Sequence, residues 1–447
     1  MAPKRKPKKK KKTSHKRLFF IIVILILIYI IFNKTNKEND SVSTIALAKE
    51  LFNNIDTTSY ASIDRYIVYG THLNIEGSIQ INENNAIQNV EVIAKNVNGQ
   101  ELPIDTDYTY EDDILSFSTL KEINTGLNLE TLQTTNYYML LKLQFPNNET
   151  KYYSLKNDTE FGNIEYYTLT RNNANQKINI NFNTFENIPF LGLNITKVNE
   201  LPQNVYDVVI DPGHGGNDTG AISGRYEEAE IVLDCAKELK KQLEEIGLKV
   251  LITRDGTESP EEYNTYNIYD EEGRVTLANE SHAKILISLH LNSNESDSVD
   301  GGVEVYAAPN CDLTFAKQLA NNIVKTANTE YSEMESYKEE NGVYVRTIDV
   351  GKSRNILTSR NYNGIFDLIP YLFIIRETGG IATGAYVDGT DSDYSENIYR
   401  NSNVGLESYL IELGYINVNK DLNNILRKQN LYMQAITNSI KTFYEIN

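Results

Sequence analysis

From Val205 onward the chain repeats one rhythm that few folds can satisfy. A short apolar run is followed by a stretch with apolar residues at helical spacing, and then by another apolar run. "YDVVIDPGHGG", "LKVLITR", "AKILISLHLN", "GGVEVYAA" and "YLIELGYI" read as strands. "EEAEIVLDCAKELKKQLEEIG", "EEGRVTLANESH", "LTFAKQLANNIVKTAN" and the residues after about Asp421 read as helices, the first stopping at Gly247. Strands alternating with helices predict an α/β domain over residues 205–447, with a mostly parallel sheet flanked by helices and right-handed crossovers.

The preceding residues have a different period. Between about Ile63 and Phe185, short runs rich in Tyr, Ile and Val are broken by turn signals such as "VNGQ" and "PNNE". Residues 61–200 therefore read as an all-β, sandwich-like domain of about seven to eight strands, with a barrel as the other reading. It holds no catalytic constellation, and His72 stands alone in it. Its tyrosines suit cross-strand packing, with a glycan-binding face as the other reading.

The net charge of −18 conceals an asymmetry. Residues 1–17 carry ten Lys or Arg and no acid, so the rest of the chain is more acidic than the whole. An acidic body argues against nucleic acid as a partner. The basic tail runs into "LFFIIVILILIYIIF", residues 18–32, whose helix would be roughly 22 Å long, with Arg17, Asn33 and Lys34 able to reach the interface. This reads as a transmembrane signal anchor, with residues 1–17 cytoplasmic, 33–60 a stalk, and everything after the anchor extracytoplasmic. A cleaved signal peptide is the rival reading, but the nearest small-x-small triplet, Ala46-Leu47-Ala48, lies far past the apolar run. Cys235 and Cys311 do not make a disulfide scaffold, and a metal site would have to use His and carboxylates.

"DPGHGG" could cradle a phosphate or aim side chains at a metal ion. The P-loop reading fails because the stretch lacks the Lys and Ser/Thr. The dinucleotide reading fails because Pro212 and Gly213 precede the His in place of Gly-x-Gly-x-x-Gly. Functional groups of α/β sheets gather at the carboxyl edge of the strands. Asp211 and His214 follow the first strand, His290 and Glu412 end two others, and Glu228 opens the first helix. Two His with one or two Glu on one edge make a metal site, and zinc is the favoured ion.

These motifs, in this order, resemble those of zinc-dependent N-acetylmuramoyl-L-alanine amidases. The resemblance runs from about Tyr206 to Asn447 and adds "GRVTLAN" and "S-x-H-x-N" to the motifs above. It implies Zn2+ held by His214, Glu228 and His290, with Glu412 catalytic, and peptidoglycan as the substrate. Glu227 adjoins Glu228, but the helical register favours Glu228. Glu377, in "LFIIRETGG", follows a strand-like run much as Glu412 does, but only Glu412 leads into a terminal helix. Arg376 and Glu377 are left as a site-supporting or substrate-binding pair, or a structural ion pair. Asp211 is a candidate to orient His214, or a turn residue. Arg274 and Asn292 are candidates to support the site or touch substrate, while Asn279 packs its helix and His282 is a surface residue. Residues 329–345 and 381–403 read as long loops able to wall or cover the site. The expected function is hydrolysis of the bond between N-acetylmuramic acid and L-alanine. The alternatives are a wall-binding or regulatory protein with an inactive or occluded domain, and another metal hydrolase of wall polymers such as a deacetylase, which would release acetate and leave the stems attached. The β-domain could receive a protein activator.

Overall fold

The computed structural model describes residues 55–81, 87–122, 125–169, 175–185, 187–257, 272–294, 301–309, 311, 313–349, 368–380, 399 and 402–446. The expected anchor at 18–32, the basic tail and most of the 381–403 loop lie outside the described residues. Among the described residues no helix is long and apolar enough to cross a membrane.

The β-rich region starts with a long strand, β1 (Ile55–Tyr69), which pairs antiparallel with His72–Gln80. Residues 55–198 form one continuous antiparallel sheet among the described residues, not the two sheets of a sandwich. The strand Tyr137–Gln144 joins its parts, because its first half pairs Leu191–Leu193 and its second half pairs Thr150–Ser154 along the same edge. One apolar core, built on Ile63, Leu73, Val92, Leu141 and Leu193, fills this sheet.

The α/β region carries β2 (Val208–Pro212), α1 (Glu228–Glu245), β3 (Val250–Ile252), α2 (Arg274–Glu280), β4 (Ile285–Asn292) and β5 (Glu304–Tyr306). It continues with α3 (Thr314–Ala327), β6 (Lys338–Glu340), β7 (Val343–Tyr344), α4 (Phe373–Thr378), β8 (Glu407–Tyr415) and α5 (Asn419–Phe443). The sheet order is β3-β2-β4-β8-β5-β7-β6. The first four strands are parallel, and their near-continuous apolar sequences are buried on both faces, as covered parallel strands require. The sheet as a whole is mixed: β5 runs antiparallel to β8. Gly301 and Gly302, both at positive φ, allow the chain to enter β5 in the reversed direction.

Two local expectations change. The apolar run before Glu377 is helical α4, packed on β8 and α2, so the strand-like reading fails. Six apolar-rich residues carry too little period to separate helix from strand. The acidic stretch after Thr329 is partly sheet, since β6 and β7 extend the edge beyond β5.

The end of β1 enters the α/β region. Val68 and Tyr69 pair in parallel with Val404 and Gly405, directly before β8. Ile67 and Tyr69 join Val209, Val275, Leu286, Ile375 and Leu410 in a shared apolar cluster. Beside it Lys284 is buried, with its Nζ donating to the His282 carbonyl and lying over the Tyr166 ring. His282 is half-buried with its ring edge-on to Tyr167, not on the open surface. The described residues within 56–96 and 100–447 thus pack as one unit.

Candidate metal centre

The strand ends bring the candidate residues together. His290 and Glu412 are register partners on β4 and β8, and Glu412 is also the partner of Glu304 on β5. His214 sits in the loop after β2, in the left-handed region at φ +59°, followed by Gly215 and Gly216 at positive φ. A short hairpin, Ile222–Ser223 against Tyr226–Glu227, delivers Glu228 to the first position of α1.

Glu228 joins the two imidazoles. Its Oε1 lies 3.1 Å from His214 Nε2 and 3.1 Å from His290 Nδ1. The two rings are 4.9 Å apart and inclined at 74°. One ligand atom from each of the three residues lies within 4.8 Å of the others. The backbone N–H groups of Ala221 and Leu291 donate to the same carboxylate, each at 2.9 Å. Burial alone would raise its pKa, but hydrogen bonds from His214 and His290 outweigh it and hold the group far below the usual carboxylate range. These contacts are made by Glu228, the residue after Glu227.

Of the two readings of Asp211, the structure shows no direct contact with the His214 ring. Its Nδ1 meets Asp218 Oδ2 at 2.9 Å, while Asp211 turns into the fold. Asp211 is fully buried and accepts from Thr253 Oγ1 and Ser288 Oγ, both at 2.7 Å, with Arg274 Nη1 at 3.1 Å. Burial pushes its pKa up, but the Arg274 charge and the two hydroxyls bring it below the usual value. Arg274 in turn donates from Nη2 to the His214 carbonyl at 2.7 Å. Asp211 therefore reaches His214 through Arg274, not through the ring.

Arg254, which the sequence did not single out, completes this brace. It donates to the carbonyls of Pro212 at 3.1 Å, Gly213 at 2.7 Å and Ala229 at 2.8 Å, tying the loop to the start of α1. Gly213 lies against the His290 ring, where no Cβ fits.

Glu412 is partly buried, and its Oε2 is buried with no hydrogen-bond partner. Burial, then the charges of Glu228 and Glu304, push its pKa well above the ordinary value. Glu304 was also missed; its only signal was an acid inside the apolar run "GGVEVY". It accepts from Asn292 Nδ2 at 2.9 Å, Tyr306 Oη at 2.9 Å and Tyr415 Oη at 2.6 Å. Asn292 thus supports Glu304.

Arg376 and Glu377 do not join this group. They pair with each other at 2.6 Å on α4, and Arg376 also binds the Tyr371 carbonyl. The next residue, Thr378, meets Ser408, four residues before Glu412 on β8 and nearer its amino end. Arg376 and Glu377 form a buried ion pair with each other. Asn279 bonds the Val275 carbonyl within α2, as a packing residue does.

Residues 208–359 match the family described as N-acetylmuramoyl-L-alanine amidase. The similarity to that family covers about a third of the chain. The germination-specific N-acetylmuramoyl-L-alanine amidase of Bacillus subtilis is 34% identical over 111 residues, which is 24% of this chain and 47% of that protein. The N-acetylmuramoyl-L-alanine amidase LytC of the same organism is 28% identical over 189 residues, 38% of this chain and 36% of that protein. A solved N-acetylmuramoyl-L-alanine amidase from Clostridium difficile 630 is 20% identical and covers 55% of this chain and 100% of that one, with a TM-score of 0.34. The chain spans less than half the length of these two Bacillus relatives. The amidase-family match takes in His214, Glu228, His290 and Glu304, whereas Glu412 lies beyond residue 359.

Proposed function

We propose that this chain hydrolyses the amide between N-acetylmuramic acid and L-alanine in peptidoglycan, using zinc held by His214, Glu228 and His290. Two imidazole nitrogens and one carboxylate are a catalytic zinc donor set, which leaves a coordination position for the reaction. The observation that carries the reading is Glu412, whose buried, unpartnered oxygen adjoins the His–Glu–His group. A carboxylate placed beside Glu228 and Glu304 calls for positive charge nearby. When bound, the metal supplies a Lewis acid that polarises a carbonyl and acidifies water.

The chain's own residues do the rest. Asp218 accepts from His214 Nδ1 and so keeps Nε2 free to ligate. Arg254 and Arg274 hold the loop that carries His214. Glu412 takes a proton from the attacking water and delivers it to the amine of the departing L-alanine. Residues 18–32 anchor the chain in the membrane with the wall-facing regions outside, and the β-rich region is a surface for an activating protein.

The test is Glu412→Gln. The variant is expected to bind one zinc per chain as the parent does and to lose at least about a hundredfold in kcat on purified peptidoglycan. Full activity in the variant would remove Glu412 from the reaction. Protease accessibility of residues 33–447 on intact protoplasts tests the orientation, and protection of these residues would overturn it.

A further inference from the structure

Glu304 occupies a place the proposed reaction does not explain. It is fully buried, it makes no ion pair among those described, and it collects three side-chain hydrogen bonds. The three donors come from positions that matter. Glu304 and Glu412 are directly opposed across antiparallel β5 and β8, so their side chains leave the same face of the sheet. On the other side of β8 the pairing with β4 slips. His290 pairs Glu412, but the next matched pair is Asn292 with Tyr415. Leu413 and Gly414 thus oppose Leu291 alone, which is a β-bulge immediately after Glu412. Gly414 takes φ +152°, and a Cβ there would press on Asp421.

A bulge re-aims the side chain beside it, and something must fix its geometry. Asn292 and Tyr415, the first matched pair beyond the bulge, both donate to the single carboxylate of Glu304. Tyr306 on β5 adds the third donor. One side chain from the third strand therefore ties the two strands across the slip. A carboxylate has acceptor sites for all three donors, whereas a primary amide has one acceptor atom and must turn its N–H groups toward some of them.

We propose that Glu304 is a positioning residue for Glu412: by gathering Asn292, Tyr306 and Tyr415 across the bulge it holds the Glu412 carboxyl in line with the His214–Glu228–His290 group. This rests on the amidase reading. Sites of this kind need their groups held within about 0.5 Å, so a loosened bulge costs turnover before it costs binding.

The experiment uses the full-length chain in detergent, loaded with zinc, and compares the parent with Glu304→Gln, Glu304→Asp and Tyr415→Phe. Expected for Glu304→Gln are one zinc per chain, KM for a soluble muropeptide within about twofold of the parent and kcat reduced at least tenfold. Tyr415→Phe, which removes one donor, is expected to lose about threefold, and Glu304→Asp to fall between. A parent-like kcat in Glu304→Gln overturns the proposal, as does an equal rise in KM. A crystal structure of the zinc-loaded Glu304→Gln chain supplies a readout independent of activity. A displaced Glu412 carboxyl or altered register at Leu413–Gly414 is expected, and an unchanged bulge overturns the positioning role even if the parent proves inactive. An inactive parent would instead count against the amidase reading.

Discussion

Replacing Asp218 by Asn tests how the metal centre is oriented. His214 stands on a loop in a left-handed backbone conformation, so its ring direction depends on what holds the ring and the carbonyl. Arg274 holds the carbonyl, and Asp218 Oδ2 holds Nδ1 at 2.9 Å while its Oδ1 accepts from the Gly220 N–H, also at 2.9 Å. An asparagine has one oxygen for these two donors. At best it keeps a neutral bond where a charge-assisted one stood, a difference of about 1–1.5 kcal/mol. The Asp218 side chain is 36% exposed, so solvent screening reduces this to about 1 kcal/mol. The expected result is a zinc dissociation constant raised five- to tenfold, at the low end for outer partners of ligating histidines. Competition with a chromophoric chelator measures it, with Asn217→Ala as the neighbouring control. An unchanged constant in Asp218→Asn, or an equal change in the control, would refute the orienting role.

Three further predictions address the scaffold. Gly213→Ala places a Cβ within 3 Å of the His290 ring, so zinc content should fall at least tenfold while circular dichroism stays native; full zinc loading would contradict the packing. Arg254→Ala leaves three buried carbonyls without these donors, and at about 1 kcal/mol or more each the chain should lose about 3 kcal/mol in urea unfolding. An unmoved midpoint would show that the brace contributes nothing. Burial lowers the pKa of His72 to about 4. The folded state therefore binds fewer protons than the unfolded one between pH 6.5 and 4, so this contribution is complete above 6.5 and is lost as pH falls. His72→Gln should reduce the acid-side loss by up to about 3 kcal/mol, and identical pH–stability curves would rule this out.

The grouping of His214, Glu228 and His290 was legible because these residues sit at strand ends and a helix start, positions that apolar period reveals. Of the residues around it, Arg274 and Asn292 were picked out, but Asp218, Arg254 and Glu304 were not. Whether His214 turns to Asp211 or Asp218 depends on the φ of three successive residues, which spacing does not encode. Arg254 and Glu304 act through contacts of high sequence separation, and a strand ending in Arg or containing Glu looks ordinary in isolation. The α4 helix was misread because "FIIRET" is too short to show a period. The β-rich region showed its strands, but the merging of its runs into one sheet depends on pairings such as Leu193 with Tyr137.

The central claim is the bond that is broken. Mass spectrometry of peptidoglycan incubated with the full-length chain, with and without a zinc chelator, reads it directly. The expected products are stem peptides with a free L-alanine amine and glycan strands with unsubstituted lactyl carboxyls, formed only without chelator. Acetate release with the stems still attached, or the same stem peptides in the presence of chelator, would contradict a zinc-dependent amidase.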